Sequence, residues 1–264
     1  MRKTRGPRRT ERTPEHEQAK IEARETEQWI DEGSVRDAAV AATQRGAARR
    51  DRPAPEVDPE VIAEIHAALD PQRAARLSER LASASAALDR ERFDEARRMI
   101  APLVRELPQV AAVHEVNGLA AYRLGRWRQA AQSLELARQL RPDPSLLPVL
   151  ADCYRALKRW NDVDTVWRDV KAASPQHEIM AEARIVVAGA HADRGELADA
   201  IDLMQPSQQA PKRVRAHHLR QWYVLADLYD RAGDTVSAAR WFERIASHDP
   251  HFADVRDRLR SLGR

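Results

Sequence analysis

The stretch LRQWYVLADLYDRAGDTVSAARWFERIASHDP, residues 219–250, decides the fold. Trp222, Leu225, Ala226 and Tyr229 recur at the three- and four-residue spacing of one helix face. After Gly233 the same spacing resumes at Ala238 and Phe242, and it stops at Pro250, which cannot donate the next backbone hydrogen bond. The stretch therefore reads as two helices joined by a turn.

Upstream the chain repeats this unit. Ala96 and Pro108, Ala130 and Pro142, Val163 and Pro175, and Ala238 and Pro250 each sit twelve apart. The steps from Ala96 to Ala130 to Val163 are 34 and 33 residues, and the later steps to Ala200 and Ala238 are 37 and 38. A period near 34 is that of a helix-turn-helix repeat. The unit at 181–214 lacks a terminal proline, and 205–215 (QPSQQAPKRVR) reads as a long loop that absorbs the extra residues. Val61, Ile62, Ile65 and Leu69 make one short helix ahead of the repeats, stopped by Asp70-Pro71.

The pattern resembles the tetratricopeptide repeat, W-x2-L-G-x2-Y followed by a small residue, an aromatic and a proline. The other units carry Ala84, Phe93, Ala96, Ile100, Leu103 and Pro108; Gly118, Gly125, Trp127, Ala130, Leu134, Ala137 and Pro142; Ala151, Tyr154, Trp160, Val163, Trp167 and Pro175; and Ala188, His191, Gly195, Leu197, Ala200 and Met204. Runs such as LADCYRAL, EARIVVAGAHADRGELADAI and ARWFERIASHD make the chain similar to bacterial repeat proteins of this type. The resemblance covers about residues 77–250. It implies an all-α superhelical solenoid of about five helix pairs, with 252–262 as a C-terminal capping helix. Small residues at Ala84, Gly118, Ala151, Ala188 and Ala226 let paired helices approach, and one repeat buries its apolar face only against the next.

Composition agrees with a helical body. Hydrophobic residues are 43% of the 264-residue chain and charged residues 32%, enough for a packed core with a solvated surface. Glycine is scarce, and Ala, Leu, Arg and Glu favour helix over strand. The domain division is residues 1–57 as a charged, partly helical, flexible arm and 58–264 as the repeat domain. Pro14 starts one expected helix in the arm and Ser34 another, and the proline-rich 49–59 (RRDRPAPEVDP) is a linker.

Net charge is only +3, but residues 1–13 hold six basic groups against one acid, while 14–60 hold seven against twelve. Arg2, Lys3, Arg5, Arg8, Arg9 and Arg12 are thus either a contact for RNA through counterion release or a solubilising tail. A balanced body excludes a dedicated nucleic-acid-binding domain. A single cysteine, no apolar run long enough for a membrane span and no apolar leader segment point to a cytoplasmic protein.

No catalytic, cofactor or metal site is expected. No phosphate-binding glycine loop, dinucleotide fingerprint or nucleophile elbow is present. Cys153 reads as a buried structural thiol, His191 as a packed repeat position, and the six tryptophans as core. His217 and His218 are adjacent, so on a helix their side chains point about 100° apart, unsuited to one metal.

The resemblance places partner contacts on the first helix of each repeat, at positions two, five, nine, twelve and thirteen. Those positions give Glu115, Tyr122, Arg123, Asp152, Arg155, Tyr223, Asp227, Asp230 and Arg231. Mixed signs suit a polar peptide held by charge-assisted hydrogen bonds, or else keep the groove soluble. The Lys and Asn residues with which some family members hold a C-terminal carboxylate are missing here. The expected function is a non-enzymatic protein-interaction adaptor. The alternative is an RNA- or ribosome-associated accessory factor that uses the basic arm.

Overall fold

The structure, a computed structural model, describes residues 57–205 and 211–264. The basic tip, the expected helices after Pro14 and Ser34, most of the 49–59 linker and the middle of the 205–215 loop lie outside these residues. The described chain is all-α: twelve α-helices and one 3-10 turn, with no strand among the described residues.

In order, the helices are α1 (Pro59–Ala68), α2 (Pro71–Asp89), α3 (Phe93–Glu106), α4 (Ala111–Arg123), α5 (Trp127–Leu140), α6 (Leu147–Ala156), α7 (Trp160–Ala173), α8 (His177–Asp193), α9 (Leu197–Met204), α10 (Ala216–Arg231), α11 (Thr235–His248) and α12 (Val255–Ser261). The 3-10 turn is Pro144–Leu146, just before α6.

Local chemistry explains the starts and stops. Asp58-Pro59, Asp70-Pro71 and Asp143-Pro144 each place a capping aspartate before a first-turn proline. Their carboxylates accept from the backbone N–H groups of Glu60, Arg73 and Ser145 at 2.9, 3.0 and 2.8 Å. Asp70-Pro71 thus closes α1 and opens α2, which begins six residues before the repeat boundary expected from sequence. Helices α3, α5, α7 and α11 each end two residues before Pro108, Pro142, Pro175 or Pro250. A proline disfavours helical backbone at the residue before it, so the cap falls there. The unit without that proline has the shortest second helix, the eight-residue α9.

Five turns share one geometry. Glu91, Gly125, Lys158, Gly195 and Gly233 each have φ between 56° and 83°, and each stands two residues before a second helix. The next residue donates to the carbonyl five back: Arg92 to Ala87, Arg126 to Ala121, Arg159 to Tyr154, Glu196 to His191 and Asp234 to Tyr229, at 2.8–2.9 Å. This left-handed closure satisfies the last carbonyls of the first helix.

Behind each turn the two small positions meet. Ala84, Ala151, Ala188 and Ala226 on the first helices and Ala96, Ala130, Ala200 and Ala238 on the second are buried. Gly118 admits Leu134 so closely that a Cβ there would lie 2.8 Å from Leu134 Cγ. Ile100, Leu134, Met204 and Phe242, at one register of the second helices, are buried completely. Trp222 and Trp241 are core, but Trp127, Trp160 and Trp167 are only partly buried. Arg194 stands 6.0 Å above Trp160 and Lys171 5.5 Å above Trp167, so these rings also carry cation–π contacts. Phe252 and Val255 bury against the last pair, with Leu259 and Leu262 packed at the margin.

Helices pack one or two places apart in chain order. The first helices α2, α4, α6, α8 and α10 each touch the next first helix, and each second helix lies against the first helices beside it. No helix among the described residues is long and apolar enough to cross a membrane.

Candidate functional site

The nine positions expected to contact a partner fall into two groups. Tyr122 and Tyr223 near the protein interior, with Asp152, Arg155 and Asp230, are buried. Glu115 and Asp227 are half-buried, and Arg123 and Arg231 are exposed.

The buried members form a polar ladder that steps from one first helix to the next. Tyr122 on α4 donates its hydroxyl to Asp152 on α6 at 2.5 Å. Arg155, one turn along α6, donates to Asp152 at 2.9 Å and to Asp193 at the end of α8 at 2.9 Å. Across the next joint Arg220 on α10 donates to Glu182 on α8 at 2.7 Å. Arg231 at the end of α10 donates to the Ala192 carbonyl at 3.2 Å. The final step reaches α12, where Arg258 bonds Asp227 at 2.5 Å and Asp230 at 3.3 Å. Tyr223 on α10 donates to Asp254 at 2.6 Å.

Burial sets the electrostatics of this face. It pushes the Asp193 carboxyl above the ordinary aspartate value, against the opposing pull of Arg155 and Arg231. Asp227 is raised for the same reason, with Arg258 opposing. The Tyr223 phenol is pushed far up, first by burial and then by its bond to Asp254. Glu115 is also raised by burial, with Asp143 adding to the effect and Arg141 opposing it. Glu115 differs from the rest because no hydrogen bond or ion pair to its carboxylate occurs among the described residues. Arg123 lies over the Phe93 ring at 4.5 Å.

Sequence reading missed the partners Glu182, Asp193, Arg220, Asp254 and Arg258. Glu182 and Arg220 occupy position two of their repeats and Asp193 position thirteen, so carrying those positions through every repeat would have found them. Asp254 and Arg258 lie beyond the repeats, where no positional rule applies.

The histidines depart from expectation in two ways. His191 is not a core side chain: it is part-buried, with Nδ1 2.8 Å from Glu196 and 2.8 Å from Arg194. Ligand atoms of His191, Glu196 and Asp199 lie within 4.8 Å of one another, close enough to hold a metal ion. The Arg194 guanidinium, 2.8 Å from Glu196 as well, already places a cation among them. His217 and His218 do not point apart. Their rings stand 3.9 Å apart because His218 turns back to accept the Arg215 N–H at 3.0 Å at the start of α10. Cys153 is buried within α6.

Two open grooves of about 350 Å³ lie beside α1, α2 and α3. One is lined by Ala82, Ser83, Ala86 and Met99 with charges at its rim, the other by Val57, Pro59, Ile62 and Ser78.

A scan against protein-family models finds none that matches the chain. A search of the curated proteins finds no relative. The tetratricopeptide resemblance therefore rests on the residues themselves.

Proposed function

We propose that this chain is a cytoplasmic, non-enzymatic adaptor, a tetratricopeptide-type solenoid of about five helix pairs that holds a partner protein or peptide along its first-helix face. The observation that carries the reading is the shared register of the five turns, each with a left-handed residue two places before the second helix and the same backbone bond. Units that join alike and pack only on near neighbours stack into an elongated body with a long exposed face. Binding along a preformed face is the activity such a body supports best.

The polar ladder refines which residues do the binding. Tyr122, Asp152, Arg155, Tyr223 and Asp230 are buried among one another and their neighbours, so they stiffen the face. Contact with a partner falls to Glu115, Arg123 and Arg231, which are half-buried or exposed, while Asp227 is held by Arg258. A Glu115 carboxylate raised by burial gains most from a cationic group on the partner.

Site-specific photocrosslinking tests this. A crosslinking residue at position 115, 123 or 231 should capture the same partner protein, whereas one at Leu136 or Val236, exposed on second helices α5 and α11, should not. Capture at Leu136 or Val236 with none at the first-helix positions overturns the proposal.

A further inference from the structure

The two grooves beside α2 are one surface, since Glu79 and Ala82 line both. It runs along a stripe of α2 at Glu79, Ala82, Ser83 and Ala86 to the cap Arg90, spaced as one helix face. In the later repeats this stripe is covered. Helices α4, α6, α8 and α10 each pack on both helices of the pair before them. At the register of Glu79 those repeats carry Val113, Leu146, Ala183 and Gln221, all buried. At the register of Ser83 stand Leu150, Val187 and Leu225, also buried, and the half-buried Asn117. Glu79 and Ser83 themselves are exposed, because only the ten-residue α1 precedes α2.

A first repeat can end a stack with a polar outer face. This one keeps an apolar floor of Ala82, Ala86 and Met99. Ser78, in the same surface, is 8% exposed, and its Oγ has no hydrogen-bond partner among the described residues. A buried hydroxyl left unbonded is costly, so a group that pairs with it belongs there. At the rim Glu79 and Arg90 form no ion pair among the described residues.

The chain itself supplies an occupant. Val57 lines the groove, so the residues before it enter beside it. In residues 34–46 (SVRDAAVAATQRG) helical spacing puts Val35, Ala38, Ala39 and Ala42 on one face. Small side chains on both surfaces let two helices approach closely, as the buried alanines do within the repeats. Asp37 and Arg45 are eight residues apart, about 12 Å along a helix, and Glu79 and Arg90 eleven apart, about 16 Å. An antiparallel pairing sets Asp37 near Arg90 and Arg45 near Glu79, opposite charges within side-chain reach. It also leaves Gly46 at the Val57 end, where the ten residues 47–56 span up to about 33 Å.

We infer that residues 34–46 of this same chain pack as a helix into the groove, antiparallel to α2, and cover the outer face of the first pair. The inference does not depend on what the first-helix face binds.

Disulfide trapping in the full chain tests it. The native Cys153 is buried and stays in place. Under mild oxidation Ala42→Cys with Ser83→Cys should form an intrachain disulfide at least fivefold faster than Ala42→Cys with Val236→Cys, which is exposed on α11. Both groove substitutions lie at exposed or arm positions, so neither disturbs the core. Adding Glu79→Arg should slow the trapping at least threefold, and adding Arg45→Glu to that variant should restore it. Equal rates for the Ser83 and Val236 pairs overturn the proposal. So does an interchain disulfide without an intrachain one, which would seat a second copy in the groove. Faster trapping of Trp29→Cys than of Ala42→Cys by Ser83→Cys overturns it as well, because another stretch of the arm would then be the occupant.

Discussion

The Tyr122 hydroxyl and the Asp152 carboxylate meet at 2.5 Å, thirty residues apart in sequence, across the joint between α4 and α6. Asp152 also accepts from Arg155, so this buried carboxylate is shared between donors on α4 and α6. Tyr122→Phe removes one donor and should cost about 1–2 kcal/mol in urea unfolding. Asp152→Ala takes one carboxylate away from the buried Arg155 and should cost about 3 kcal/mol or more. The two losses should not add, because they share a partner. Additive losses in the double variant would refute a ladder.

Lys158 and Glu91 adopt the left-handed backbone that Gly125, Gly195 and Gly233 adopt in the equivalent turns. A side chain there is strained by about 1 kcal/mol. Lys158→Gly and Glu91→Gly should therefore raise stability by up to about 1 kcal/mol, while Gly195→Ala and Gly233→Ala lower it by about the same. Denaturant midpoints for the four variants check the sign, which must differ between the two pairs.

Gly118 is a packing glycine rather than a turn glycine. An added Cβ would meet Leu134 at 2.8 Å from Cγ and 2.9 Å from Cδ2, and the Leu134 backbone nitrogen at 3.3 Å. Gly118→Ala should cost about 1–3 kcal/mol despite the higher helix propensity of alanine. A stabilised variant would mean that α4 and α5 are less closely packed than these distances require.

His217 and His218 give the chain a pH dependence. Burial, and then the neighbouring His218, hold His217 below the ordinary value of 6.5, while Glu178 opposes and Arg220 and Arg215 add to the depression. Burial also lowers His218, with Arg215 and His177 nearby and Glu178 opposing. The folded state thus favours neutral rings. Stability is complete above 6.5 and is lost as the pH falls from there, because the unfolded chain takes up protons first. Unfolding midpoints should fall between about pH 7 and about pH 5, and His217→Gln should flatten that fall. An unchanged slope in the variant would place the titration elsewhere.

Much of the fold was legible because its signals are short-range. Pro108, Pro142, Pro175 and Pro250 act on the residue before them, and Asp58 and Asp70 on N–H groups two or three residues away. The turns at Gly125, Gly195 and Gly233 were visible as glycines, but those at Glu91 and Lys158 were not. There the closure is imposed by the packed helices on either side, and residue type gives no sign of it. The expectation that His191 packs as core failed because Glu196 and Arg194, just past the turn, offer polar partners that periodicity does not weigh.

The sequence alone determined helix type, repeat register and the face of each helix that turns inward, since these follow from spacing along one chain segment. Only the tertiary structure decided which polar residues are accessible. Whether Asp152 waits for a ligand or is consumed by Tyr122 and Arg155 depends on the offset between successive helix pairs, which brings together residues 30 to 38 apart. That offset is the summed result of side-chain packing at every joint, such as Leu134 against Gly118, and no local pattern encodes it.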